Sequence, residues 1–526
     1  MFISCSHSPF LLPGTHPPQK VLLPLKPTPI MASLSSTNSG SATLFATLTK
    51  RSSSLPYKFH TSNNRLHKLC TTPELQAEAE QHARTTRPYI HSKMLPLLQA
   101  FLQTKQQHGS VLERELYTTS CTTPTQLLHR LLTKRPLMFM NSYDQFLLHC
   151  GHDGAGSEIF DRIGSKHETK NQHEHLTLAH LMSYDEMPLA SLLAVSTPTH
   201  FINSGGRNNM GRDGQPNSFV RKGVIVGQVG TRFERKQRME WCHCVVDETQ
   251  NTTGRGYGSS EGSTTTPSKQ LKHDRALLDS WAAFYGIPYF PTFAEVVSSI
   301  EEHQEIKNEP QQQRYVKLST LGPTAYFDTW VFSKRMEYIA ELYLVDANDR
   351  AKSQGTQAVC HVVGLGLGVW LINSCQRQLY VDAFGTVLQR LHLPYIKDVY
   401  FAYIRDVSTC AGATQGEQVQ GPNNQIGPTI HFGRRDPAAL DQLTTTATNT
   451  GELPLLHTQY AWDGNSYPGN EYWVGRLAAS GDPAAACCST IPELQNPDVN
   501  SEHVSGTNIH VVDSSGGEHM SFIQKI

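Results

Sequence analysis

The chain has 526 residues, with 45 Lys and Arg against 46 Asp and Glu and a net charge of −1. That length holds two or three domains and at least one sizeable core, and so even a balance excludes long-range attraction to nucleic acid. No run of about 18 apolar residues occurs, which excludes a membrane-spanning helix, and the 11 Cys lack regular spacing and read as reduced thiols of an intracellular, cytoplasmic protein.

No Asp or Glu precedes Glu74, and the same stretch carries Lys20, Lys26, Lys50, Arg51, Lys58, Arg65 and Lys68 among many Ser, Thr and Pro. An acid-poor, Ser-rich leader over 1–71 fits an organelle transit peptide or a disordered tail. The prolines between Pro13 and Pro29 would break an amphipathic helix and favour the tail. Thr72, Pro73 and Glu74 then read as a helix start. Further helices are expected around Leu95–Leu102 and from Thr123 through Leu132, so 72–175 is expected to be mainly helical.

From Leu176 the pattern changes. Gly223–Gly230 is a β-rich run punctuated by glycines, and Met239–Val246 reads as its partner strand. The polar stretches Thr249–Ser268 and Gln304–Gln313 read as insertions. Phe332, Met336, Ile339 and Tyr343 mark one helix face. Ala358–Val363, Val399–Ile404 and Leu455–Trp462 read as strands, with a helix over Ile372–Leu391 and a loop over Thr409–Asn424. Strands alternating with helices predict an α/β fold, a mixed sheet flanked by helices, over 176–505, with a tail at 506–526.

Two motifs point to chemistry. The strand ending at Val363 runs into Gly364, Gly366 and Gly368, before Val369 and Trp370. Glycines at a strand-to-helix turn let backbone amides approach phosphate oxygens. The spacing matches neither the dinucleotide fingerprint nor a Walker loop, and a tight packing turn remains the alternative. The second motif runs from Asp463 to Asp482. Asp463 follows an apolar strand, where α/β sheets present ligand groups. Gly464, Pro468 and Gly469 force an irregular loop, so Asp463, Glu471 and Asp482 can converge and raise one another's pKa values for acid–base work. They could equally hold a ribose diol or a guanidinium leaving group. Trp462, Tyr467, Tyr472 and Trp473 offer aromatic faces. A capping role for Asp482 on the following helix stands beside this reading.

Other candidates are weaker. Arg232, between Gly230 and Glu234, could meet a pyrophosphate or simply pair with Glu234. Cys242, His243 and Cys244 alternate along the expected strand and read as packing. His149, Cys150 and His152 lack a second pair at zinc-finger spacing.

The segments Ser183–Met187, Val195–Thr199, Phe201–Asn203, Gly227–Glu234, Met239–Trp241, Val363–Trp370 and Asp463–Asn500 resemble the MavL-like macrodomain proteins. The resemblance spans roughly 175–500 apart from the insertions. It implies a macrodomain-like fold related to poly-ADP-ribose glycohydrolases and a hydrolase that removes ADP-ribose from modified protein. Arginine-linked modification and ubiquitin are among the targets it suggests. It makes Asp463, Glu471 and Asp482 the acidic triplet at the ribose, with Glu471 standing where the pattern has Asp. It makes Gly364, Gly366 and Gly368 the phosphate loop, with Val369 and Trp370 beside them as ligand-binding residues. Asn203, Arg232, Asn465, Gly469, Asn470, Tyr472 and Trp473 would complete the ligand site. No metal or cofactor is required, with ADP-ribose as ligand or product, and neither nucleic acid nor membrane is expected as a partner. The alternative expectation is a reader module that binds ADP-ribose without turnover.

Overall fold

The computed structural model describes residues 43–259, 267–305, 314–318, 324–478, 480–506, 508–513 and 521–524. Residues 1–42 of the expected leader, and 260–266 and 306–313 of the expected insertions, lie outside the described residues.

Ten strands form one mixed sheet. In chain order they are β1 (Arg87–His91), β2 (Ala194–His200), β3 (Lys222–Gln228), β4 (Ala358–Val363), β5 (Ile396–Ala402), β6 (Gln418–Gln420), β7 (Ile426–Gly433), β8 (Leu455–Ala461), β9 (His510–Asp513) and β10 (Ser521–Gln524). Across the sheet the order is β6-β7-β5-β4-β8-β3-β2-β1-β9-β10. The centre is parallel: β4 pairs with β5 and β8, β5 with β7, and β8 with β3. A parallel centre is covered on both faces, which is why Ala358–Val362 is buried at every position and reads as a continuous apolar run.

Eight helices matter for the site: α1 (Leu44–Ser53), α2 (Pro73–Thr85), α3 (Met94–His108), α4 (Pro124–Thr133), α5 (Lys269–Tyr285), α6 (Thr329–Ser353), α7 (Cys375–Arg390) and α8 (Gly481–Cys488). The Asp328 carboxylate caps α6 by accepting from the Trp330 and Val331 amides at 3.1 and 3.2 Å. Phe332, Met336, Ile339 and Tyr343 form its buried face, as their spacing predicts. The sheet faces divide by alternation: Ser196 and His457 meet α6, whereas Thr199 and Tyr460 meet the Thr490–Gln495 segment opposite.

A buried charge ties these layers together. Asp346 on α6 pairs with Arg87 of β1 at 2.7 Å and accepts from Ser196 of β2 at 2.6 Å. It also meets His457 of β8 at 2.8 Å and Arg350 at 3.3 Å. Burial alone would raise its pKa, but Arg87, Arg350 and His457 together hold it well below the usual carboxylate range. Asp346→Ala is expected to cost about 3–5 kcal/mol in urea unfolding, since it strands buried cations. A depressed carboxyl contributes stability above its unfolded pKa and loses it as pH falls through the folded value. The difference between wild type and variant should therefore shrink only in strong acid.

The expected boundaries need three corrections. The part of the leader from Leu44 onward is folded: α1 and a turn at Leu66–Leu69 pack their leucines into a core with Leu494 and Val499. The mainly helical region is no separate unit, because β1 inserts between β2 and β9 in the main sheet. The expected tail supplies β9 and β10 at the sheet edge. Met239–Val246 is also not a strand. Trp241–Cys244 forms a helical turn, and Val245–Asp247 pairs with Ala325–Asp328 in a small separate sheet. His243 there packs among Trp281 and Phe290, and burial lowers its pKa to about 3. No helix among the described residues is long and apolar enough to cross a membrane.

Candidate active site

Beyond Ala461 the chain leaves the sheet as an irregular loop, and its shape has local causes. The Trp462 indole donates to the Ser466 carbonyl at 3.1 Å, and the Trp473 indole to that of Pro468 at 2.9 Å. The Tyr467 amide donates to the Pro136 carbonyl at 2.9 Å. Fully buried Arg135 donates to the Gly464 carbonyl at 2.6 Å and lies 4.4 Å over the Trp462 ring. Burial lowers the Arg135 pKa to about 9.

This loop brings the three expected acids together. Asp482 accepts from the Gly469 amide at 2.7 Å through one oxygen and from the Asn470 amide at 2.8 Å through the other. The Asn470 side chain donates to Asp463 and accepts from the Phe139 amide at 2.8 Å. One asparagine thus bridges Asp463 and Asp482. Glu471 accepts from the Ser480 hydroxyl at 2.8 Å. Asp482 does not cap its own helix; its oxygens go to the loop instead.

Burial is the main force on both aspartates. It raises Asp463 to about 7, with Arg232 and Asn470 opposing and Glu471 and Glu234 adding to the rise. It also raises Asp482, aided by Asp463 and Glu471 against the two loop amides. Asp463 adds to the rise of Asp482, and Asn470 joins the two carboxyls by hydrogen bonds.

Gly469 shapes this set. Its φ is +89°, and an added Cβ would lie 2.9 Å from that of Ala486. Gly469→Ala is expected to cost about 1–2 kcal/mol for the left-handed backbone alone. It should also shift an amide that holds Asp482. A fall in turnover larger than the fall in stability, read from kcat and melting in parallel, would show this coupling.

Beside the acids lies a cavity of about 830 Å³. It opens at the carboxyl ends of β4, β5, β7 and β8, where Val363, Ala402, Gly433 and Ala461 line it, the usual place for a ligand in such a sheet. Gly364 and Gly368 also line it, as the sequence predicts, but Gly366 does not. Gly366 (φ +71°) packs against the Thr231 backbone, so its glycine serves loop packing.

The acids flank the cavity without lining it. Their chain neighbours Ala461 and Gly481 form the shared wall. A small crevice is lined by Arg232, which bonds the Asp463 carbonyl, and by Glu234, Asn141, Tyr184, Arg235 and Arg238, among others.

Several expected ligand residues have other work. Arg232 is buried, donates to the Asp463 carbonyl at 2.8 Å, pairs with Glu234 and lies 4.8 Å over the Trp370 ring. It braces the acidic loop from beneath. Trp370 is buried, and Val369 is 92 % exposed and off the cavity wall. Asn203 accepts from the Gly205 amide and donates to the Arg212 carbonyl, both at 2.8 Å, which shapes the loop that puts Gly205 and Arg207 on the wall. Asn465 is buried against the sulfurs of Met187 and Met239. Tyr472 and Trp473 face the folded leader: the Tyr472 hydroxyl accepts from the His60 amide at 3.2 Å, and Trp473 meets the rings of Tyr57 and Phe59.

Sequence reasoning missed the cavity's charge. Arg207, Arg377, Arg405 and Arg434 line it, with Tyr403 and Asp436. Tyr403 holds a φ of +60° and donates to Asp436 at 3.0 Å. A signal was present: Tyr403–Arg405 and Arg434 directly follow the ends of β5 and β7, where sheets of this kind present ligand groups.

A family model described as ADP-ribosylhydrolase MavL-like matches residues 46–522. Two Drosophila melanogaster proteins are similar to the chain. The ADP-ribosylarginine hydrolase CG3568 is 34 % identical over 441 residues, 82 % of this chain and 78 % of its own length. The ADP-ribosylarginine hydrolase CG2909 is 30 % identical over 476 residues, 89 % of this chain and 86 % of its own. With the paired acids beside an arginine-lined cavity, these matches place the chain in the MavL-like ADP-ribosylhydrolase family.

Proposed function

We propose that this hydrolase cuts the N-glycosidic bond between ADP-ribose and an arginine side chain of a modified protein. The observation that carries the reading is the pair Asp463 and Asp482, both raised in pKa and joined through Asn470, next to a cavity lined by four arginines. The arginines and the amides at Gly364 and Gly368 suit a diphosphate. Tyr403 offers a ring at the mouth for the adenine. The ribose then lies toward Ala461 and Gly481, nearest the acids.

In this reading the ionised member of the pair orients water toward the anomeric carbon. The charge that builds on the ribose is met by carboxylates. The protonated member supplies a proton as the guanidine leaves, and Glu471, with its longer reach, holds the guanidinium. No metal or cofactor takes part, and ADP-ribose is the product. The printed names of the two fly relatives support arginine linkage. The resemblance makes ubiquitin modified on arginine the first protein substrate to try.

The separation of acids from the cavity wall by Ala461 and Gly481 favours a second reading, a binder without turnover. Calorimetry with ADP-ribose and a release assay on arginine-modified protein separate the two. Binding with time-dependent release is expected. Binding without release on any linkage supports the reader, and no binding overturns both.

A further inference from the structure

We propose that Cys150, His173 and His175 form a zinc site, separate from the acidic loop. One donor atom from each lies within 4.8 Å of the other two. The Cys150 sulfur lies 4.0 Å from Nε2 of His173. With Zn–S near 2.3 Å and Zn–N near 2.0–2.1 Å, tetrahedral ligands sit roughly 3.5 Å apart. A settling of about half an ångström would bring Cys150 and His173 to ligand spacing.

The sequence alone shows His149, Cys150 and His152 without a partner pair. The fold supplies one from His173-Glu174-His175. His149 is engaged elsewhere, between Asp498 at 3.0 Å and the Arg135 carbonyl at 2.8 Å. His152 stacks flat on His173, with centroids 4.1 Å apart and planes 12° apart. A metal lies in the plane of each imidazole it binds, so stacked rings cannot share one. His152 is thus a support for His173, and the fourth position is left to water or an exogenous ligand.

Two further clusters have ligand-like spacing, and each already holds an internal cation. Lys105 sits 2.5 Å from both Glu113 and Asp185 and 3.1 Å from His273. Lys222 sits 2.8 Å from Glu78, beside His82 and His200. Among the described residues no Lys or Arg ion pair reaches Cys150, His173 or His175. Nδ1 of His175 is buried without a hydrogen-bond partner among the described residues.

Sulfur with two nitrogens suits a borderline-soft ion such as Zn²⁺ better than Mg²⁺ or Ca²⁺. Binding would release the Cys150 thiol proton to solvent. The His173 proton would move from Nε2 to Nδ1, giving up the 3.2 Å bond from the His175 amide. The metal would pin the turn at Cys150 to the 173–175 loop. Helices between them are only a few residues long, so the metal would add to the packing of Phe160 and Ile163 that already holds that stretch.

The full chain, loaded with zinc chloride and then dialysed free of unbound metal, should retain stoichiometric zinc by mass spectrometry. Cys150→Ser and His173→Ala should each lose at least tenfold in affinity, whereas His180→Ala should not. The cobalt-loaded wild type should show thiolate-to-metal charge-transfer absorption that Cys150→Ser lacks. Circular dichroism confirms that the variants fold. If one does not, the wild-type cobalt spectrum still decides, since three-ligand binding without the thiolate band overturns the proposal. So does wild type that retains no zinc, or equal retention by Cys150→Ser.

Discussion

Replacing Asp463 with asparagine is expected to slow ADP-ribose release from arginine-modified protein by about 10²–10⁴-fold, the usual weight of a positioned acid or base. The same change should leave the fold as stable or more so. Asparagine keeps an oxygen for the Asn470 amide group that Asp463 now accepts from. It also removes a carboxyl that burial holds unfavourably: its pKa is raised to about 7. The sign follows from linkage. A carboxyl raised on folding binds more protons in the native state between its unfolded pKa, near 4, and about 7. Wild-type stability therefore falls as pH rises through that window, and the variant escapes the fall. Urea midpoints at pH 5 and pH 8 give the comparison. A merely structural Asp463 would lose stability and activity together.

The wild-type pH profile carries the same logic. If the singly protonated pair is the working form, kcat/KM should decline on the alkaline side as the pair loses its last proton. In Asp463→Asn that limb should vanish or move, because one of the two titrating groups is gone. A profile unchanged by the substitution would remove Asp463 from the chemistry and leave Asp482 with Glu471.

What could be read from residues alone follows a physical line. Ala358–Val363 is a mostly apolar run that only a covered sheet tolerates, so its strand was plain. Asp463, Glu471 and Asp482 sit in one loop rich in turn formers, so their convergence was local and readable. The arginine lining was not. Arg207, Arg405 and Arg434 arrive from three separate loops and Arg377 from the first turn of α7, and no single spacing links all four. Asn465, Tyr472 and Trp473 looked like ligand groups because polar and aromatic side chains suit both a sugar and a buried scaffold. Their scaffold role depends on Met187, Met239 and residues 57–61, all far along the chain. The leader misled for a related reason. Its lack of acids suggested disorder, but its counter-charges lie more than 400 residues away.

Those counter-charges yield the other large effect. Glu493 is buried and accepts from the Ser52 hydroxyl at 2.5 Å, from Arg65 at 2.9 Å and from the Leu66 amide at 2.6 Å. Asn64 adds bonds to the Ala486 and Ser489 carbonyls at 2.7 and 2.8 Å. Glu493→Ala is expected to cost about 3–5 kcal/mol, because it leaves a guanidinium and an amide without their shared carboxylate. The damage should reach the site. Tyr57, Phe59 and His60 press on Tyr472 and Trp473, within the Asn470–Val474 turn that carries Asn470 and Glu471. Loosening the leader frees that turn, and with it the asparagine that joins Asp463 to Asp482. Limited proteolysis should cut Glu493→Ala between residues 54 and 64 at a temperature where wild type resists, and release of ADP-ribose should fall in step with that cleavage. Full activity in a chain already cut there would show that the acids need no brace from the leader.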